Sequence, residues 1–193
     1  MPDTETSAGK LGPGRMVLVV GPSGAGKDTL MSALRQRLQD KTGVHFARRA
    51  ITRDADPNAE DHDTLTRPEF DSMVANGTVA LSWEAHGLGY VIPANYDDLI
   101  RNGDTVIANG SRRVLHQASD KYQTAIVLLI TAPVDILAAR LATRGRESRE
   151  AIENRLRRAD LEPQDVPNLV RIENTGSIGE GVSRMMAALS IQN

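Results

Sequence analysis

The run Val17-Leu18-Val19-Val20-Gly21-Pro22-Ser23-Gly24-Ala25-Gly26-Lys27-Asp28-Thr29-Leu30 constrains this chain more than any other stretch. Four Val or Leu residues break into glycines and end on a lysine, which predicts a buried strand, a tight loop and a helix start in direct succession. The spacing from Gly21 to Gly26-Lys27 is that of a P-loop, whose backbone N–H groups wrap a nucleotide's phosphates while the lysine reaches the terminal ones. Gly21, Pro22, Ser23, Gly24, Ala25, Gly26, Lys27, Asp28 and Thr29 are the expected nucleotide-binding residues. Asp28 departs from the pattern, because a Ser or Thr hydroxyl normally stands there to bind Mg²⁺. A carboxylate is a hard oxygen donor and can take over that task, so Asp28 is the candidate metal ligand; alternatively it is a helix N-terminal acid stabilised by the dipole. Thr29 is a poor substitute, since one helical step turns its side chain about 100° away.

The strand and helix that the motif demands on either side are both legible. Leu30, Ala33, Leu34 and Leu38 fall at the spacing of a helix face packed on a sheet, with Gly43 as the stop. Val44 to Ile51 reads as a second strand, running into Thr52-Arg53. The polar segment from Asp54 to His62 reads as a loop. Pro68 opens a short helix that Asn76-Gly77 closes, Thr78 to Trp83 is a short strand, and His86 to Tyr90 is rich in turn residues. Another helix ends at Arg101, Asp104 to Ala108 is a buried strand, and Asn109-Gly110-Ser111-Arg112-Arg113 follows it. Ligands of open α/β sheets bind beyond the carboxyl ends of the strands, which makes these residues site candidates. Ala125 to Ile130 is the most apolar strand, Pro133 starts a helix, Val170 to Ile172 is a last strand, and Val182, Met185, Met186 and Leu189 form one helix face. Strands alternating with helices predict an α/β fold with a parallel sheet covered by helices on both faces. A polar, glycine-rich leader is expected over 1–15 and a single P-loop domain over 16–193.

Composition closes off other classes. A net charge of −2 argues against a nucleic-acid partner, and no apolar run approaches the ~20 residues of a membrane span. The absence of cysteine excludes disulfides, and the first residues lack the pattern of a secretory signal, so a cytoplasmic location is the expectation. Oligomeric state is left open. Of the 23 basic Lys and Arg residues only Lys10, Lys27, Lys41 and Lys121 are lysines. Arginine's planar fork grips phosphate oxygens two at a time, and Arg140, Arg144, Arg146, Arg149, Arg155, Arg157 and Arg158 crowd one short interval.

With these residues in view, the chain resembles the guanylate kinase superfamily over nearly its whole length after the leader. The resemblance rests on the Gly21 to Lys27 loop, Thr52-Arg53, Gly87-Leu88-Gly89-Tyr90, and the lid signature Arg140-Leu141-Ala142-Thr143-Arg144-Gly145 followed by Arg155-Leu156. It implies a guanylate kinase-like fold with a mobile lid and an acceptor-binding region. By the same resemblance Lys27, Arg144 and Arg155 are catalytic, closing over the phosphates being joined, and Arg53 holds the acceptor's phosphate. From their position after the last strand, Asn174 and Thr175 are candidates to border the adenine of ATP, with loop folding as the alternative explanation.

The acceptor side departs from guanylate kinases. Leu81 falls where the family places a guanine-reading Glu, Ile92 where a hydroxyl residue contacts the base, Asp56 near a phosphate-binding Arg, and His62 near a phosphate-binding Tyr. Recognition of guanine needs hydrogen-bonding partners, and apolar side chains stand in their place. The departures are shared with the ribose 1,5-bisphosphate phosphokinases of phosphonate degradation, which the chain resembles in Gly26-Lys27-Asp28, Ile51-Thr52-Arg53, Trp83-Glu84-Ala85-His86-Gly87-Leu88 and Asn109-Gly110-Ser111-Arg112. Val91 differs from the Gly those relatives tend to carry. This resemblance implies ATP and Mg²⁺ as cofactors and a sugar phosphate as the small-molecule partner, with 5-phosphoribosyl 1-diphosphate (PRPP) as product. Arg49, Arg53, His86, Tyr90, Asn109, Ser111 and Arg112 are then the expected substrate-binding residues. A nucleoside monophosphate kinase and a non-catalytic guanylate kinase-like binding module are the alternative readings.

Overall fold

A computed structural model describes residues 9–53, 62–143, 152, 156 and 166–191. Strand β1 (Arg15–Val20) is the middle of a five-stranded sheet ordered β2 (Val44–Phe46), β7 (Thr105–Asn109), β1, β8 (Ala125–Thr131) and β9 (Leu169–Glu173). Every pairing in it is parallel. Alternation along β1 assigns the two faces. Val17 and Val19 point to one core with Leu30, Leu34, Leu128 and Ile130, whereas Met16, Leu18 and Val20 point to another with Val106, Leu129, Leu115 and Ile100. Because both faces are buried, the strand is apolar throughout instead of alternating, which is the signature expected of a parallel sheet.

Helices α1 (Lys27–Arg37) and α6 (Ile178–Ala188) cover the first face together with α5 (Val134–Ala142). Helices α3 (Asn95–Arg101) and α4 (Leu115–Lys121) cover the second. Helix α6 begins on a capping box: the Ser177 hydroxyl accepts from the Glu180 N–H, and the Glu180 carboxylate accepts from the Ser177 N–H. Those hydrogen bonds hold the Glu180 carboxyl below the usual range. Ser177→Ala is expected to lower stability by about 1 kcal/mol in urea titrations near neutral pH. A lowered folded pKa stabilises only while Glu180 is ionised, so the deficit should shrink as pH falls through that lowered value.

The remaining strands form a second sheet, ordered β4 (Asp63–Thr64), β3 (Ala50–Ile51), β6 (Leu88–Pro93) and β5 (Val79–Ala85). Here the structure corrects the expected strand over Val44 to Ile51. It splits at Ala47-Arg48-Arg49, and its two halves enter different sheets. The stretch expected to be turn-rich is the tip of an antiparallel hairpin, with His86 and Gly87 at φ of 53° and 77° and a ladder from Ala85–Leu88 to Val79–Pro93. One face of this hairpin carries Leu81, Trp83, Ile92 and Tyr90 into the second core, adding a β layer to the helices there. The other face packs on α2 (Arg67–Ala75), and Gly89 lies so close to Phe70 that a Cβ would come within 2.7 Å of its ring.

The two sheets are tied together beneath the hairpin. The Lys121 ammonium donates to the carbonyls of Val79 and Ala80 and pairs with buried Asp97, whose other oxygen accepts from the Tyr122 hydroxyl at 2.7 Å. Burial, then the neighbouring Asp97, push the Tyr122 phenol far above its ordinary pKa. Residues placed in the leader by composition are anchored from Leu11 onward, where the Leu11 N–H donates to the Lys121 carbonyl and the Gly14 N–H to that of Ile100. Among the described residues no helix is long and apolar enough to cross a membrane.

Candidate active site

The P-loop leaves the carboxyl end of β1 and turns directly into α1. Gly26, at φ 85°, is the N-cap, and no side chain caps the helix, so its first-turn N–H groups face an anion-binding position. The glycine is required twice over. Its φ is left-handed, and a Cβ would come within 2.5 Å of the Asn174 amide, which donates to the Ala25 carbonyl at 2.8 Å. The Lys27 ammonium folds back over the loop, donating to the carbonyls of Gly21 and Pro22 at 2.9 and 3.1 Å.

The loop separates two cavities. The larger, about 510 Å³, is lined by Gly21, Pro22, Ser23, Lys27 and Asp28 on the loop side. Arg49, Trp83, Ala85, His86, Tyr90, Asn109, Gly110, Ser111, Arg112 and Leu156 complete its wall. The smaller, about 360 Å³, is lined by Gly24, Gly26, Thr29, Arg140, Thr143, Asn174, Gly176 and Ile178. Ala25 is fully buried and contributes its carbonyl to Asn174. The loop after β1, the residue before β3, strand β6 and the end of β7 thus bring Lys27, Asp28, Arg49, Tyr90, Asn109 and Arg112 to the larger cavity.

Within the larger cavity the side chains are fixed by contacts of modest number. Asn109, 5% exposed, donates its amide to the Asp28 carboxylate at 3.1 Å, and its carbonyl accepts from Arg49 at 3.5 Å. The Arg49 guanidinium lies 5.3 Å from the centroid of the Tyr90 ring, and Tyr90 stacks on Trp83 with centroids 5.2 Å apart. Ser111 caps a short 3-10 turn over Arg112–Val114, its oxygen accepting from the Arg113 N–H. Lys27, Arg49 and Arg112 face Asp28, so the described charges of this wall favour a multiply phosphorylated ligand.

Arg53, Leu81 and Ile92 are not among the residues lining the larger cavity. Arg53 donates to the ring of buried His62 at 3.5 Å. Just before it, Thr52 is bonded to Gly89 both through its N–H and its hydroxyl. Arg144 and Arg155 lie outside the described residues, as does Asp56. Leu156, beside Arg155 in sequence, does line the larger cavity. Leu81 and Ile92 form a fully buried cross-strand pair two residues along each strand from Trp83 and Tyr90 and do not line the larger cavity.

Sequence reasoning missed two features. Trp83 is quoted in a motif, but only the register of β5 on β6 places it under the acceptor side. Arg140 is fixed by the Asn174 and Gly24 carbonyls at 3.0 and 3.5 Å, forming a wall of the smaller cavity. Its place in a crowded arginine interval was the available signal.

Among the described residues at the P-loop, Asp28 could hold a divalent cation. It is exposed at the mouth of the P-loop beside Lys27, it offers hard oxygens, and Asn109 engages Oδ1. Among the described residues no group of three or more His, Cys, Asp or Glu could hold a metal by itself. The donor set therefore suits Mg²⁺, which is bound by one or two carboxylates plus phosphates and water, and fits no all-protein cage.

A parallel sheet with a P-loop on its central strand, opening on an arginine-lined cavity, defines a P-loop nucleotide-binding protein of the small-kinase class. A family model described as "AAA domain" matches residues 17–159. The ribose 1,5-bisphosphate phosphokinase PhnN of Brucella melitensis is 48% identical over 166 residues, covering 86% of this chain and 86% of the relative. The chain belongs to the ribose 1,5-bisphosphate phosphokinase family. The PhnN of Rhodopseudomonas palustris is 49% identical over 156 residues, covering 81% and 80%. Guanylate kinase from Anaplasma phagocytophilum matches in structure with a TM-score of 0.63 at 18% identity, covering 92% of this chain and 85% of that one, a likeness of fold alone.

Proposed function

We propose that this protein transfers the γ-phosphate of ATP to ribose 1,5-bisphosphate, giving 5-phosphoribosyl 1-diphosphate and ADP. The observation that carries the reading is the character of the larger cavity. Lys27, Arg49 and Arg112 converge on it, while the position of a guanine-reading carboxylate is occupied by Leu81, buried beneath an aromatic floor. Such a site offers positive charge to acceptor phosphates and, at position 81, an apolar side chain in place of a base-reading carboxylate.

The nucleotide is bound across the P-loop, its phosphates over Gly21 to Lys27 and its base in the smaller cavity beside Arg140 and Asn174. An oxygen of the acceptor's anomeric phosphate attacks the γ-phosphorus, the bond to the β–γ bridging oxygen breaks, and ADP leaves with that oxygen. A phosphate monoester is largely ionised near neutral pH, so no strong general base is needed. His86 orients the acceptor. Positioning and positive charge do most of the work in phosphoryl transfer. Lys27 supplies it from the loop, and Arg144 and Arg155 from the lid. When bound, Mg²⁺ neutralises charge on the β and γ oxygens, and Asp28 would hold it directly or through water.

The reading is tested by identifying the product. Phosphorus NMR of the reaction is expected to show a diphosphate at carbon 1 of the ribose, formed in a 1:1 ratio with ADP. For the metal role, Asp28→Ala is expected to raise the Mg²⁺ concentration for half-maximal turnover about 10-fold or more, the scale of losing one ligand or its support. An unchanged Mg²⁺ titration would leave Asp28 as a helix-terminal acid only.

A further inference from the structure

In P-loop nucleotide-binding proteins generally, Mg²⁺ is supported by a neutral hydroxyl beside the loop lysine and by an acid reaching in from another element. This chain carries the acid, Asp28, directly after Lys27, and the side chain that reaches it from another element is a neutral amide: Asn109 donates to Asp28 Oδ1 at 3.1 Å. The backbone fixes where that amide stands. Asn109 ends β7 in register with Val19 of β1, and the following N–H, of Gly110, donates to the Val19 carbonyl at 3.0 Å. Asn109 is buried, whereas Asp28 is exposed and lines the larger cavity. Among the described residues Asp28 Oδ2 has no protein partner.

We propose that Asn109 is a positioning residue for the cation: it ties down one oxygen of Asp28 and leaves the other to the metal, the acid and its neutral partner having exchanged places between loop and strand end. The inference rests on the kinase reading above and on the metal role it gives Asp28. An exposed carboxylate in the first turn of a helix turns about two side-chain bonds, and a hydrogen bond from a buried amide restricts both. Ligating carboxylates are commonly held by such outer partners, whose loss costs about 10–100-fold in metal affinity. The exchange also accounts for the amide. With Asp28 in the loop, an acid at position 109 would set two like charges and two acceptors against each other, whereas an amide of the same shape donates.

Calorimetric titration of the full-length protein with ADP, in EDTA and in saturating MgCl₂, separates the metal's contribution from that of the loop. The ratio of the two affinities reports the metal and needs no turnover. As the largest local charge, Mg²⁺ is expected to tighten ADP at least about 10-fold in the wild type. Asp28→Ser and Asn109→Ala are each expected to remove most of that gain, about 10-fold, with metal-free ADP affinity within about 3-fold of wild type. The double variant Asp28→Ser/Asn109→Asp puts a hydroxyl in the loop and the acid at the strand end, and should recover the ratio to within about 3-fold of wild type. A packing loss would lower both affinities together, and the second substitution would not repair it.

A wild-type ratio in Asn109→Ala would overturn the positioning role and leave the kinase reading standing. A double variant no better than Asp28→Ser would overturn the exchange of places; if the double variant does not fold, Asn109→Ala decides alone. A ratio unchanged in Asp28→Ser would refute the metal role of Asp28, and the inference with it. Failure of the wild type to bind ADP under either condition would refute the kinase reading itself.

Discussion

Lys27→Ala is expected to lower kcat about 10³-fold, equivalent to about 4 kcal/mol of transition-state stabilisation, as read in a coupled ADP-release assay. The ammonium sits on the loop that separates the two cavities, in contact with the Gly21 and Pro22 carbonyls, so its loss removes positive charge from the loop itself. The fold should be unaffected, because Lys27 is part of no core and its loop is held by Asn174 and Gly26. An unchanged thermal midpoint with lost turnover is the expected pair of results. Lys27→Arg should recover little, since the longer planar fork does not fit a loop shaped for a point charge.

Leu81→Glu carries the second large effect, on stability. In a guanylate kinase-type site a Glu at this position would face the base and create affinity for GMP. Here the side chain is fully buried between the hairpin and the five-stranded sheet, among Ile92, Ile100 and Leu115. A carboxylate placed there has no partner and is expected to cost about 3–5 kcal/mol. For a chain of this size that is a fall in melting temperature of roughly 10 °C. GMP turnover should not appear. A stable variant that phosphorylates GMP would show that the aromatic floor does not separate position 81 from the ligand.

Much of this was legible in the sequence because it is local. Gly21 to Lys27 and the apolar faces of α1 and α6 depend on neighbours a few residues apart, and periodicity reports them directly, although α1 ends at Arg37 and not at the stop expected at Gly43. The second sheet was not legible for a corresponding reason. Val44 to Ile51 is continuous enough to read as one strand, yet its halves pair with β7 and β6, more than 35 residues away in sequence. The hairpin tip was hidden by His86, a residue less typical of a left-handed turn position than Asn or Asp. Without that hairpin, Trp83 could not be set opposite Tyr90, and Leu81 could not be set beneath them.

The candidate site divides along the same line. Asp28, Asn109 and Arg112 were identified from motifs at strand ends, which the parallel sheet gathers on one side by construction, whereas Arg49 and Tyr90 reach the same cavity from the second sheet. Arg53 was identified in the same way and donates to the ring of His62 instead of lining the cavity. The pairing of Asn109 with Asp28 spans 81 residues and had no sequence signal. It nevertheless links the two departures from the guanylate kinase pattern, the acid in the P-loop and the amide after β7, into one contact.

The central claim is that the larger cavity takes a base-free, doubly phosphorylated acceptor. The most direct test measures ADP release by the wild-type protein with MgATP and equal concentrations of ribose 1,5-bisphosphate or GMP, in parallel. Turnover of ribose 1,5-bisphosphate at least about 100-fold faster than that of GMP is expected, because missing hydrogen-bond partners for the base cost several kcal/mol. Equal or faster turnover of GMP would contradict it.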